Sequence, residues 1–285
     1  MDNRKTFGIE RMCKVFKVSR SGYYDWKGRK PSVREVETQK ITEEIKRVYA
    51  DSKNRYGSPK ITEELVSKGW KVSRPRVARI MRSNSLRSIT SKKFRVSTTD
   101  SSHGFPIADN ILGRDFTASR PAEKWVSDIT YIPTSQGWLY LTIIMDLFDR
   151  KIVGWALSTE MTTEVTILAA WKMAVINRPI DQALLFHSDR GVQYASHVFR
   201  KQLNKYPVIQ SMSRKGNCWD NAVAENYFKI LKSELVSHCH FQSILQAKTD
   251  IFEFIEVWYN RKRKHSYLGY QTPEQFGNNN YLKYA

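Results

Sequence analysis

Three acidic residues stand in surroundings that do not suit a solvated charge. Asp128 lies in KWVSDITYIPT between Val126 and Ile129, Asp189 follows the apolar run ALLF within HSDRG, and Glu225 belongs to CWDNAVAENYFKILKSEL. At 100° per residue, Ala224, Phe228, Leu231 and Leu235 of that last stretch form a core-facing seam, and Glu225, Lys229 and Lys232 run immediately alongside it. The Glu225 carboxylate therefore stands at the rim of a core. An isolated E-x-x-x-K pair on a helix is ordinarily a solvated surface pair. Asp128 and Asp189 change that reading, because a strand Asp, an Asp just beyond a second strand end and a helix Glu can converge on one side of a sheet, where open sheets bind ligands. Convergent carboxylates repel one another, and a hard divalent cation is their natural neutraliser. Mg2+, with Mn2+ as its substitute, suits oxygen ligands that leave room for water and phosphate.

Other polar groups read as structural. Asp146 is expected to serve the sheet or a turn with Arg150 in preference to a metal, and Asp220 to belong to a helix start near Asn217 as N-cap. His187 reads as a hydrogen-bonded structural residue, and Trp125 and Trp219 as core aromatics beside the site. The three cysteines form no C-x-x-C pair, so neither a disulfide framework nor a zinc finger is supported.

The elements that must carry these residues follow from the change of period near residue 121. KWVSDITYIPT, WLYLTIIMDLF and KIVGWALS read as three strands in hairpin connection, with turns at Ser135–Gly137 and Asp149–Arg150. A helix over Thr163–Ile176, a strand ALLF, a helix near Ser196–Asn204, a strand VIQSM and the Glu225 helix complete a mixed five-stranded α/β domain. Upstream the pattern is helical. Gly8–Arg29 has a helix-turn-helix shape, and a second such unit begins at Ser58 as N-cap, breaks at Gly69 and restarts at Ser73.

Charge separates the two halves. Of a net +19, residues 1–120 carry 28 basic against 13 acidic side chains, and residues 121–285 carry 19 against 15. That asymmetry points to a polyanion-binding half joined to a nearly balanced one. Arg74, Arg76, Arg79 and Arg82 on the second helix of the Ser58 unit, with Lys92 and Lys93 beyond it, are the expected DNA contacts. Arg261, Arg263 and Lys264 form a basic tail suited to DNA phosphate. No apolar run reaches 18 residues and the N-terminus lacks a signal-peptide stretch, so membrane association is not expected and cytoplasmic residence is.

WVSDITYI, HSDRGVQY and CWDNAVAENYFKILKSEL resemble the three active-site motifs of DDE transposases and retroviral integrases, with the characteristic 35 residues between the second Asp and the Glu. RYGSPKI, IADNILGRDF and YNRKRKHSYLGYQTPEQF resemble more closely the second reading frame, OrfB, of insertion sequences of the IS-three family, and the similarity covers nearly the whole chain. The resemblance implies an RNase H-like catalytic domain, with Asp128, Asp189 and Glu225 as catalytic acids and metal ligands and Lys232 as a DNA-contacting residue pointing at DNA. It implies two metal ions, nicking at the element's ends and strand transfer. Its expected partners are double-stranded DNA at element ends and target, further copies of itself on DNA, and a protein segment fused from an upstream frame; its expected setting is the bacterial nucleoid. The rival readings are a catalytically silent DNA-binding protein and a nuclease that only hydrolyses. The expected divisions are a helix-turn-helix-like segment at 1–35, a basic helical DNA-binding domain at 36–96, a connector at 97–120, the catalytic domain at 121–240, and a C-terminal helix and tail at 241–285.

Overall fold

The computed structural model describes residues 7–89 and 104–281. The chain forms two compact units, Met1–Arg87 and Ser88–Ala285. In the first, α1 (Ile9–Val15) and α2 (Arg20–Gly28) flank the expected turn, where Lys17 takes φ 53° and Ser19 caps α2 by accepting from Gly22 N. Next comes α3 (Val33–Asp51), a 19-residue helix that the sequence reading does not anticipate. Its start is a capping box in which Ser32 Oγ accepts from Glu35 N and the Glu35 carboxylate accepts from Ser32 N. Only Ile41, Ile45 and Val48 give it an apolar stripe, at i, i+4, i+7, so its first two turns carry almost no periodic signal.

Helix α4 (Ser58–Ser67) corrects the expected cap. Gly57, in an extended conformation, is the N-cap, and Ser58 is already helical. Gly69, at φ 85°, ends the helix in the left-handed region as expected. Helix α5 (Arg74–Ser83) follows Ser73 and buries Val77, Ile80 and Met81, an apolar stripe at i, i+3, i+4.

The second unit is built on β1 (Lys124–Thr134), β2 (Gly137–Asp146), β3 (Ile152–Ser158), β4 (Leu184–Ser188) and β5 (Val208–Met212), in spatial order β3-β2-β1-β4-β5. The first three pair antiparallel, whereas β4 pairs parallel with both β1 and β5. The sheet is mixed and five-stranded, as expected. The helix expected over Thr163–Ile176 opens with a π-helical turn, Glu164–Leu168, and continues as α6 (Ala169–Asn177). Two short helices, α7 (Val192–Ala195) and α8 (His197–Leu203), join β4 to β5, with Ser196 capping α8.

One face of the sheet carries an aromatic core. Trp171 of α6 meets Trp125, Phe186 and Phe199 edge-on at centroid distances of 5.7, 5.5 and 6.0 Å. Beneath it, Asp146 and Asp149 share Arg178 through Nη1–Oδ2 and Nη2–Oδ2 contacts of 2.6 and 2.7 Å, all three side chains buried. The partner of Asp146 is thus Arg178. Arg150 turns away to donate to the Phe116 carbonyl and to lie over the Tyr267 ring.

After β5 come α9 (Ala222–Glu234), preceded by a 3-10 turn at Cys218–Asn221, then α10 (Ile244–Phe252), a π-helical turn at Glu253–Tyr259, and α11 (Pro273–Tyr281). The C-terminal segment belongs to the same unit and is bonded into it. Asn260 exchanges two hydrogen bonds with the Ile152 backbone, and Trp155 Nε1 donates to Glu256. Among the described residues no helix is long and apolar enough to cross a membrane.

Gly154 is where α6 comes closest to the sheet. A Cβ there would lie 2.2 Å from the Ala170 carbonyl oxygen and 2.7 Å from Ala174 Cβ, contacts that only movement of the helix backbone could relieve. Gly154→Ala should therefore cost at least about 2 kcal/mol, the upper range for overpacked cores, and lower Tm by several degrees in a thermal melt. An unchanged melting temperature would mean that α6 can shift freely on β3.

Candidate active site

Parallel pairing of β1 with β4 sets the site. Trp125 lies opposite Phe186 and Val126 opposite His187, so the same register carried two residues further brings Asp128 level with Asp189. Neighbouring strands are about 4.8 Å apart. Side chains alternate along β1, which sends Trp125 and Ser127 to the aromatic core and Val126 and Asp128 to the other face, where α9 packs on β1. The anticipated α9 seam is observed: Ala224, Phe228, Leu231 and Leu235 are buried, and Glu225, half-buried, stands beside them.

The three acids feel one another. Burial pushes the Asp128 carboxyl well above the usual carboxylate range, and the charges of Asp189 and Glu225 push it further. Burial also raises Glu225, opposed by Lys229 and reinforced by Asp189. Lys229 Nζ is 3.9 Å from Glu225 Oε2, a loose and largely exposed i,i+4 pair that cannot neutralise the cluster. Asp128 Oδ1 accepts from Ile129 N and Asp189 Oδ1 from Gly191 N, so each side chain is oriented by its own backbone.

Lys232 lies two turns beyond Glu225, close enough to Asp128 for each charge to shift the other; burial lowers the ammonium and Asp128 opposes that change. It makes no ion pair with any described residue.

The donor set fits a hard cation in kind: three carboxylates, all oxygen donors, that repel one another. As placed, however, no three His, Cys, Asp or Glu side chains among the described residues are close enough together to hold one ion. An ion would have to draw them inward.

Around this centre lies a buried polar shell that the sequence reading largely missed. Tyr194 Oη and Ser127 Oγ are 2.8 Å apart, and Ser127 Oγ donates to the Ile143 carbonyl, directly behind Asp128. His187 is buried, with Nδ1 2.9 Å from Ser211 Oγ and Nε2 3.1 Å from Ser213 Oγ, and burial lowers its pKa to about 4. It is the hydrogen-bonded structural residue expected. Asp220 is buried too, but it is far more than a helix-start residue: it accepts from Arg214 N, Nε and Nη2, from Arg114 Nε and from Asn110 Nδ2, all at 2.8–3.0 Å. Asn110 and Arg114 belong to IADNILGRDF, a motif whose role nothing in local periodicity reveals.

Comparison with known proteins agrees with this architecture. An HTH-like domain model matches residues 37–94, and integrase core domain models match residues 118–218 and 225–281. The chain is 40% identical over 276 residues to the transposase InsF for insertion sequence IS3A of Escherichia coli strain K12, covering 96% of this chain and 95% of that protein. The chain belongs to the IS3 family of transposases. A 31 kDa protein of insertion element IS600 from Shigella sonnei is 41% identical over 265 residues, 93% of this chain and 97% of its own. The HTLV-2 integrase catalytic core, solved in complex with magnesium, has a TM-score of 0.42 and 15% identity over 56% of this chain and 97% of that one.

As in the family's expected plan, an HTH-like helical region precedes an RNase H-like integrase core. Within the HTH-like region the basic residues divide by partner. Arg74, Arg79 and Arg82 are exposed and pair with no described residue, Arg79 and Arg82 on the arc of α5 opposite Val77, Ile80 and Met81. Arg76 differs: its Nη2 is 3.0 Å from Glu37 Oε2 and 3.2 Å from Thr38 Oγ1, which ties α5 to α3. Lys92 and Lys93 lie outside the described residues. In the C-terminal basic run, Arg263 is a correction. Its guanidinium is buried against Glu234 at 2.8 Å, where Trp258 Nε1 also donates, so it cannot reach phosphate. Arg261 is exposed beside Glu274 at 3.6 Å, and Lys264 is half-buried.

These placements separate phosphate contacts from packing contacts. Replacing Arg79 and Arg82 together with Ala should weaken duplex binding and lower the slope of log affinity against log salt by about 0.9 for each phosphate no longer neutralised. Arg76→Ala should leave that slope unchanged. Equal slopes for wild type and the double variant, measured by salt titration, would remove the α5 stripe from the DNA interface.

Proposed function

We propose that this transposase nicks the ends of its insertion sequence and joins the freed 3′-OH to target DNA, using Asp128, Asp189 and Glu225 as a cation-holding triad. The observation that carries the reading is the β1–β4 register, which brings Asp128 level with Asp189 on the face where α9 supplies Glu225. Mg2+, or Mn2+ in its place, would supply Lewis acidity toward the phosphate oxygens of an in-line displacement, as a pair of ions in the usual form of this chemistry.

The chain's own residues do the rest. Asp128 and Glu225, raised by burial and by the charge of Asp189, hold sites for positive charge rather than acting as solvated acids. Lys232 sits within the field of Asp128 on the same helix as Glu225, and its ammonium can hold the phosphate beside the scissile bond, a positioning role. The double-stranded partner enters with its backbone read by Arg74, Arg79 and Arg82 and by Arg261 and Lys264. Joining two ends requires both to be handled together, so the proposal includes a homo-oligomer assembled on DNA.

Asp128→Asn, Asp189→Asn and Glu225→Gln should each abolish nicking and joining while leaving DNA binding intact, and none should lower Tm in EDTA, since each removes a repelling charge. Magnesium-dependent cleavage by any one of them would take that residue out of the triad. A protein that cleaves yet never joins added target DNA would be a nuclease, and a wild type inert in both assays a silent DNA-binding protein.

Lys232→Ala should retain fold and cation response but cleave and join end-containing DNA tenfold or more slowly, about 1.4 kcal/mol or greater in transition-state stabilisation. Wild-type rates at limiting DNA would return Lys232 to a solvated surface role.

A further inference from the structure

Trp219 is where the structure departs furthest from the sequence. Expected in the core, its side chain is 67% exposed, on the 3-10 turn that leads into the Glu225 helix. Both of its flanks are nevertheless fixed. Asp220, fully buried, takes the five donors from Asn110, Arg114 and Arg214, and Asn221, also buried, donates from Nδ2 to the carbonyl of Ser127, the residue before Asp128. On the other side Asn217 Oδ1 accepts from Trp219 N and from Arg114 Nη2. The turn is tied in addition to the Asp189 loop, where Arg190 Nε donates to the Ser213 carbonyl. The backbone is held on every side while the indole is left in water.

A large apolar ring presented on a fixed support is a preorganised contact: the ordering cost of binding is already met and its face is free. Its place defines what it can meet. Six residues of 3-10 and α-helical rise put Trp219 about 10 Å from Glu225, or about three base steps of a duplex at 3.4 Å each. Lys215, exposed, flanks the ring's turn with the positive charge a phosphate backbone needs, while Arg214 is committed to Asp220. Within a closed duplex base faces are covered by stacking, so a ring at this distance finds a free face only at an unpaired or terminal nucleotide.

We propose that Trp219 stacks on an unpaired base within about three nucleotides of the scissile phosphate, holding the DNA end open beside the carboxylates. This rests on the proposed end-cleavage reading and adds to it a DNA-contacting residue and the state of the DNA it selects. Base–aromatic stacking contributes about 1–3 kcal/mol per base, which corresponds to roughly a tenfold effect or more.

The test uses the full chain and a synthetic duplex bearing the inverted repeat that flanks the gene, with 2-aminopurine placed singly at each of three positions on either side of the cleavage point. Binding of wild type should change the fluorescence at one or two of these positions. Trp219→Ala, whose fold should be unaffected because the side chain is exposed, should lose that change and join tenfold or more slowly, while Trp219→Phe should keep most of both. An abasic residue at the responding position should erase the difference between wild type and Trp219→Ala. Wild-type fluorescence from the Ala variant would overturn the proposal, and so would slowed joining with the fluorescence change intact, which would assign the ring to a protein contact. The fluorescence measurement needs no cleavage. A wild type that shows the signal without cutting would therefore sink the end-cleavage reading and leave Trp219 on DNA, whereas a wild type that cuts without any signal would sink only the stacking.

Discussion

Parallel pairing of β1 with β4 is the constraint on which the site depends. An antiparallel sheet could have been closed by hairpins alone, but it would place the ends of adjacent strands at opposite edges. Only a parallel neighbour brings the C-terminal end of a second strand, and so Asp189, up beside Asp128. Such a neighbour needs a crossover, and the π-helical turn with α6 supplies it, packed so closely on β3 that Gly154 can carry no side chain. The aromatic cluster around Trp171 is thus the far side of the β1–β4 register: it holds the crossover helix on the sheet, and the sheet holds Asp128 level with Asp189.

Among the described residues of the second unit, three buried ionic clusters divide the remaining structural work. Arg178 between Asp146 and Asp149 fixes the β2–β3 turn, Arg263 on Glu234 fastens the C-terminal segment to the end of α9, and Asp220 with Arg114 and Arg214 anchors the turn before α9. Buried pairs add little net stability over well-packed apolar residues, because desolvation offsets the attraction. What they contribute is registration. Glu225 is carried by a helix whose two ends are each pinned by a buried carboxylate, Asp220 before it and Glu234 within its last turn. Those two acids are fully matched with donors, while Asp128 and Glu225 between them are not.

Where a residue's role depends on its own periodicity, the sequence disclosed it: β1 and β5 have the limits read from their strand pattern, and the α9 seam faces inward as its spacing requires. Three kinds of feature stayed hidden. Helix α3 escaped because its buried positions are confined to its C-terminal half. Arg263 looked like its neighbours in a basic run, yet the π-helical turn before it swings it onto Glu234, a contact 29 residues away that no local pattern encodes. Trp219 looked like core because a tryptophan beside an apolar seam usually is, and two of the residues that hold its turn, Asn110 and Arg114, lie more than a hundred positions upstream. In each case partner identity, not residue type, decided the outcome.

The contrast between matched and unmatched carboxylates bears on why this surface is a site at all. Asp146, Asp149, Asp220 and Glu234 each have an arginine, so their charge is already answered and nothing is gained by bringing a cation to them. Asp128 and Glu225 have only each other, Asp189, a loose Lys229 and the partly desolvated Lys232. Their repulsion is a cost that folding elsewhere must offset, and it falls when positive charge arrives. A fold that answers Asp146, Asp149, Asp220 and Glu234 with arginine leaves Asp128 and Glu225 with a repulsion that a bound cation would relieve. Lys232 extends the contrast: its ammonium and Asp128 act on each other's charge without closing an ion pair, so no described residue takes up its hydrogen-bond donors as Asp146 and Glu234 take up those of Arg178 and Arg263.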